Sequence, residues 1–435
     1  MQNRSFRFGN SLLPLSFAGL ILLGALLLKL PGMLEDRQLS WIDALFTSCS
    51  AVCLNGLAVI PTSEFSFSGQ LVLLVLIQIG CFGIVSLSAI VLLMAGKGLS
   101  FSNNLVMYKL NDSFSRGGTE ALVRTIAIYT LVSEAAGFVL MLPGFLMQGF
   151  GWNSIWYALF YSVGSFCNSG MGPLPGGIAD AGRYVQTVSM VQIVLGGIGV
   201  YVIYDLLQKF SYGRDHRIRL HSRIVLTVST ILILGGAIFL WVAARTSGES
   251  SLEMFDALYL SVAARTAGYN TVDVGALPVA SIVIVIVLMF IGGSPGSTAG
   301  GIKTTTAAVA LAALVSSFKG EGEVLIAHRS IAWRSVLRAF TIIVIFLLLA
   351  LVGATMIRFS GEVHGLSSTF EAVSALSATG LTTGTATQQL LPGSRLLVVL
   401  FMFIGRVGPL SIIMFFVGRE KPGHLRYPEE RVVIG

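Results

Sequence analysis

The sequence predicts an all-α integral membrane protein: four tandem helix–pore-loop–helix repeats around one central pore, with a broken helix in the third repeat. Three observations predict it. The composition is far too apolar for water, a short glycine-terminated motif recurs four times at near-constant spacing, and a glycine-rich run with a proline interrupts the third repeat where a helix should continue.

Of 435 residues, 54% are hydrophobic and 11% charged, and the mean hydropathy is +0.82. A soluble domain carries about a quarter charged residues, and a soluble fold this apolar would leave large greasy patches facing water. Apolar stretches near the roughly 20 residues of a spanning helix lie at 11–28, 69–94, 184–207, 223–244, 277–291, 336–357 and 396–417. An eighth, 119–147, is interrupted by Arg124 and Glu134. Residues 11–28 lack a small-residue cleavage site and precede further spans, which reads as an anchored first helix and not a signal peptide. Cys49, Cys53, Cys81 and Cys167 form no CxxC pair and read as reduced, buried thiols.

The net charge of +7 is distributed as the positive-inside rule requires, which argues against nucleic acid as the partner. Nineteen of the 28 Lys and Arg fall before Ser11 and in 97–124, 209–223, 319–338 and 419–431; the alternate loops hold six. That asymmetry predicts a multi-pass protein of the cytoplasmic membrane with both termini in the cytoplasm.

Four segments share one plan: FTSCSAVCLNGL (46–57), FYSVGSFCNSGM (160–171), LYLSVAARTAGY (258–269) and FEAVSALSATGL (370–381). Each is a half-length helical stretch ending in a glycine, Gly56, Gly170, Gly268 or Gly380, at intervals of 114, 98 and 112 residues. The preceding residue is small or amidic: Asn55, Ser169, Ala267 and Thr379. A second glycine series follows at Gly80/Gly83, Gly196/Gly197/Gly199, Gly292/Gly293 and Gly405/Gly408, beginning 24, 26, 24 and 25 residues beyond the first. This register divides the chain into repeats at 1–97, 98–213, 214–322 and 323–435, with pore segments 41–60, 154–174, 254–272 and 367–384. Gly80, Gly83, Gly197 and Gly199 read as sites of close helix crossing.

Non-helical backbone at membrane depth must face protein or water. Four such loops around an axis meet that rule by lining a pore. A half-helix entering from outside aims the negative end of its dipole at the axis, and the loop after it can turn carbonyls toward a partly dehydrated cation. Glycine allows the close approach and the unusual backbone angles. With no Asp or Glu beside the filter glycines, neutral oxygens suit a large monovalent ion better than a divalent one.

In the third repeat IGGSPGSTAGGIKTTT (291–306) must break its helix, and it would lie just inside the filter as a gate. Its phosphate-loop likeness fails because Ile302 separates Gly301 from Lys303. The run Gly196–Gly199 is too short for a dinucleotide fingerprint. No paired carboxylates, nucleophile–base set or metal cluster is visible, so no enzyme activity is expected.

ARTAGYNT (264–271), GGSPGSTAGGIKTTT (292–306), MFIGRVGPL (402–410) and YPEERVVIG (427–435) resemble the Trk/Ktr/HKT superfamily of K⁺ transporters, and within it the Ktr-type membrane subunit; the resemblance runs over essentially the whole chain. It implies K⁺ as the transported ion, a homodimer with one pore per subunit, and a cytosolic nucleotide-binding regulatory ring as partner. It implies a filter at Gly56, Gly170, Gly268 and Gly380, and a gate at 292–306 that includes Gly292, Gly293, Gly296, Gly300, Gly301 and Lys303. Na⁺ as activator is left open. Asn55 departs from the Thr or Ser usual before the first filter glycine, which bears on the K⁺/Na⁺ ratio.

Ionisable groups at depth are functional candidates. Lys303 lies in the gate loop. Arg406 falls in the fourth glycine cluster, and its five donors suit it to clamp loop carbonyls, in agreement with the resemblance. Arg265 is expected to pair with Glu371 or Asp256 behind the filter, and Glu134 to find a buried structural partner. Two alternatives stay open: a Na⁺ uniporter of the same fold, and an alternating-access symporter, which would carry inverted or two-fold repeats.

Overall fold

The computed structural model describes residues 2–35, 38–94, 119–212, 217–248, 252–359, 365–384 and 387–408. The basic loop 97–118, the repeat boundaries near 97 and 213, the end of MFIGRVGPL and the tail with YPEERVVIG lie outside the described residues.

Helix lengths recur in one order. A long helix, a short one and a third helix run as α1 (Gln2–Leu28), α2 (Trp41–Cys53) and α3 (Phe67–Met94). Next come α4 (Thr119–Met147), α5 (Asn153–Cys167), α6 (Gly182–Ile198) and α7 (Val200–Tyr212). Then follow α8 (Leu220–Ser247), α9 (Met254–Ala263), α10 (Val279–Phe290) and α11 (Thr304–Phe318). The last set is α12 (Trp333–Phe359), α13 (Leu366–Ser377) and α14 (Pro392–Val407). A two-residue antiparallel pair, Leu325–Ile326 with Arg329–Ser330, links α11 to α12.

The ends have local causes. Ser40 caps α2 by accepting from Asp43 N at 3.1 Å, and Asp43 complements the dipole in the first turn. Pro392 opens α14, where its missing N–H costs nothing. The short helices are buried nearly all round: every residue of α2 from Phe46 to Cys53 is buried, as is every residue of α5 from Phe160 to Cys167. Such helices cannot be surface helices. By contrast α4, α8 and α12 turn Leu131, Val139, Ile231, Phe239, Leu347 and Leu351 outward, as lipid-facing helices do.

Each short helix packs against the third helix of the set before it: α5 against α3, α9 against α6, α13 against α10, and α2 against α14. The last contact closes the chain into a ring.

Among the described residues Arg124–Met147, Leu220–Ser247 and Trp333–Phe359 are each long and apolar enough to cross a bilayer. Several stretches that read as continuous are not. The apolar run 184–207 breaks at Gly199, where α6 and α7 meet at 96°. Within 69–94, Gly83 departs from helical geometry at φ 54°. At Gly199 and Gly83 glycine backbone interrupts the helix while hydropathy continues past it; the run 277–291, by contrast, is the helix Val279–Phe290.

Candidate ion pathway

The short helices α2, α5 and α13 end alike. Leu54, Asn168 and Ala378 take left-handed φ values of 54°, 58° and 52°. Each end carries the paired bonds of a Schellman cap. Leu54 N donates to Ala51 O and Asn55 N to Ser50 O; Asn168 N to Ser165 O and Ser169 N to Gly164 O; Ala378 N to Ala375 O and Thr379 N to Ser374 O. Thr266 holds the same register with φ 76°, but there Ala267 N and Gly268 N both return to Ala263 O. The third end is a different cap.

The chain then turns through Gly56, Gly170, Gly268 and Gly380, with φ of 96°, 66°, 72° and 83°. These glycines meet one another. A Cβ on Gly56 would stand 2.8 Å from Ser169 O, and one on Gly170 3.0 Å from Ala267 O. One on Gly268 would overlap Thr379 O, and one on Gly380 would overlap Asn55 O. The contacts run 56 to 170 to 268 to 380 and back to 56, so four backbone carbonyls and four glycines form a closed ring. No other residue type fits such a ring without moving backbone.

Side chains brace it from behind. Ser50 Oγ accepts from Gly56 N at 3.1 Å, and Ser374 Oγ donates to Leu381 O at 2.6 Å. The fully buried Asn55 sends its amide across the seam to Ala375 O at 2.9 Å and Ser374 O at 3.3 Å. Its departure from Thr or Ser therefore supplies a tie from the first loop to the end of α13. Tyr269 Oη reaches Met171 O at 2.9 Å.

The second glycine series has a common geometry in three sets. A Cβ on Gly80, Gly196 or Gly405 would strike the carbonyl of Val52, Phe166 or Leu376, in each case four residues before a ring glycine. These glycines let α3, α6 and α14 lie against the ends of the short helices. Gly292 is the exception: a Cβ there would meet Gly300 O and Thr266 Cγ2 at 3.1 Å.

Between α10 and α11 the chain runs without helix from Ile291 to Lys303. Thr298 Oγ1 donates to Phe166 O at 3.4 Å, and a Cβ on Gly300 would stand 2.5 Å from Ser377 O, so the loop lies against the ends of α5 and α13. Arg406 donates from Nη1 to Thr298 O and from Nη2 to Gly80 O at 2.8 Å. It bridges loop and α3, as its five donors allow. Lys303 Nζ donates to Ala299 O at 2.6 Å within the loop itself.

Two sequence expectations are corrected. Arg265 does not pair with Glu371 or Asp256. It donates to Gly292 O at 3.2 Å and Ser229 O at 3.4 Å, on the loop side of α9. Asp256 sits nine residues earlier at the other end of α9, and pairs with Arg183 at 2.5 and 2.9 Å. Glu371 accepts from Thr382 Oγ1 at 2.5 Å, Thr383 N at 3.2 Å and Thr387 Oγ1 at 2.7 Å, bracing its own loop. Gly83, Gly197 and Gly199 do not mark a crossing of two helices: a Cβ on Gly83 would meet nothing within 4 Å, and Gly197 and Gly199 border the third-set loop. Glu134 does find buried partners, accepting from Gln78 Nε2 at 3.1 Å and from the Cys167 thiol at 3.6 Å. The four cysteines are free.

Sequence reasoning missed the bracing by Glu371 and the cross-seam amide of Asn55. A Glu inside FEAVSALSATG, with three threonines at 382, 383 and 387, was the available signal for the first. Nothing local marks the second.

An apolar helical body around a ring of backbone carbonyls is the frame of a membrane cation transporter. The chain belongs to the TrkH family of cation transport proteins, whose family model matches residues 21–422. It is 32% identical to the potassium/sodium uptake protein NtpJ of Enterococcus hirae over 98% of this chain and 96% of that protein. To the Ktr system potassium uptake protein B of Bacillus subtilis it is 32% identical over 97% of this chain and 96% of the relative. The crystal structure of the potassium transporter TrkH from Vibrio parahaemolyticus superposes with TM-score 0.75 at 18% identity, covering 95% of this chain and 85% of that one. That likeness establishes the shared fold.

Proposed function

We propose that this chain is the ion-conducting subunit of a Ktr-type K⁺ uptake system in the cytoplasmic membrane. Its four sets of helices act as four repeats around one pore, and the third repeat's inner helix is broken to make a gate. The observation that carries this reading is the closed order of the glycine ring. The carbonyls of Asn55, Ser169, Ala267 and Thr379 each stand against the next ring glycine, and four such carbonyls around one axis can replace part of the hydration shell of a monovalent cation. The names of the full-length relatives, potassium or potassium/sodium uptake proteins, agree with it.

The loop carrying Gly292, Gly293, Gly296, Gly300, Gly301 and Lys303 then blocks the path under the ring, with Arg406 holding it shut. The subunit works as a homodimer with both termini cytoplasmic, and a cytosolic nucleotide-binding ring docks on the basic loops and tail to release the loop.

The deciding experiment measures K⁺ and Na⁺ uptake in cells lacking their own K⁺ systems, with and without external Na⁺ and with and without the cognate ring. K⁺ uptake that rises when the ring is co-expressed supports the reading. Uptake confined to Na⁺ overturns the K⁺ assignment, and full uptake from the membrane subunit alone overturns the regulatory one.

A further inference from the structure

Two interruptions of helix meet in this protein. One is the loop from Ile291 to Lys303; the other is Gly199, between α6 and α7, with φ 91° and ψ 147°. A helix end leaves carbonyls unpaired and a helix start leaves N–H groups unpaired, and at membrane depth each such group is costly. At Gly199 the loop supplies the partners. Ser294 N donates to Gly197 O at 3.1 Å and Thr298 N to Gly196 O at 3.3 Å, satisfying the last turn of α6. Val200 N, the first donor of α7, gives its hydrogen bond to Gly296 O at 3.1 Å. The fit is close: a Cβ on Gly199 would stand 2.7 Å from Pro295 O, and one on Gly296 2.6 Å from the Tyr201 ring.

We infer that the break at Gly199 is the seat of the intramembrane loop, with Gly199, Val200 and Tyr201 as positioning residues that hold the loop from the side opposite Arg406. The inference rests on the reading of that loop as the gate. Opening the loop strands three backbone groups at the α6–α7 break unless water enters with it, so the seat opposes opening directly. The seat also has a handle. Asp205 of α7 accepts from Arg219 N at 2.9 Å and faces its guanidinium at 3.8 Å, while Tyr201 meets His221 edge-on at 6.1 Å. These contacts join α7, which carries the seat, to the start of α8.

One substitution isolates the contact. Val200 is the first residue of α7, where proline fits and the helix does not use the N–H. The ψ of 147° at Gly199 suits a residue that precedes proline. Val200→Pro thus removes the donor to Gly296 O and leaves α7 standing. In vesicles reconstituted with the full-length chain, K⁺ flux without any partner should rise about two- to tenfold, the worth of one hydrogen bond. The K⁺/Na⁺ ratio should stay at the wild-type value. Gly199→Ala, which presses a methyl on Pro295 O, should raise flux likewise, and it carries the test if the proline variant does not reach the membrane. Wild-type flux in these variants while Arg406→Ala raises it overturns the seat and spares the gate. Flux unmoved by all three overturns the gate reading beneath it, and a rise accompanied by lost selectivity overturns the seat by placing the damage in the ring.

Discussion

The glycine ring and the loop beneath it are both irregular backbone buried among helices, yet they are held in opposite ways. Around the ring, backbone meets backbone: each glycine abuts its neighbour's carbonyl, three of the four helix ends carry paired caps, and buried side chains such as Ser50, Ser374, Asn55 and Glu371 brace the turns. The loop is held chiefly by individual hydrogen bonds, from Arg406 to Thr298, from Thr298 to Phe166, from Arg265 to Gly292 and three at the break at Gly199. A ring that cannot shift without many simultaneous losses suits discrimination between ions of different size. A loop held by separable anchors suits a two-state element whose balance a partner can move. Under the proposed function, selectivity and opening are built from separate contacts, and should separate under mutation.

The comparison breaks most visibly at the ring. Gly56→Ser forces a side chain onto Ser169 O at φ 96°, and should lower the K⁺/Na⁺ preference about tenfold or more. Competitive uptake in cells expressing normal amounts of the variant measures it; unchanged discrimination removes Gly56 from the filter. Next is Arg406→Ala, which deletes charge-assisted bonds to Thr298 O and Gly80 O. Each is worth about 1.5–3 kcal/mol, so partner-free flux should rise about tenfold or more while the ion preference holds. Loss of flux in a folded variant would make the loop a strut.

Asn55→Leu sharpens the boundary. It removes the cross-seam amide but leaves the loop anchors, so the K⁺/Na⁺ ratio should fall by about three- to tenfold with partner dependence intact. A change in partner dependence alone would mean that the ring and loop are one unit. The smallest effect belongs to Arg183→Ala, far from both. Its guanidinium is half exposed and pairs with Asp256 and Glu253, so the melting midpoint in detergent should drop by only about 1 °C with flux and selectivity unchanged.

The sequence by itself determined the elements that depend on local backbone. Glycines in phase, each after a half-length apolar run, could be read because positive φ at Gly56, Gly170, Gly268 and Gly380 is a property each residue carries alone. The break expected over 291–306 was legible from its glycines and proline, but the helix resumes at Thr304, three residues early. Arg406 as the loop's clamp was legible from its place in the fourth glycine cluster together with the family resemblance.

What only the tertiary structure decided is who meets whom. Arg265 and Asp256 look like partners nine residues apart, but they sit at opposite ends of α9, and the helix rise of about 1.5 Å per residue keeps them apart. Asn55 reaches a helix end more than three hundred residues away, and Gly199 gains its meaning only where the third-set loop arrives to satisfy the broken ends of α6 and α7. Hydropathy carries no record of such pairings, because a buried hydrogen bond or charge is set by distance and direction in the assembled ring of helices, and these arise only once the seams close.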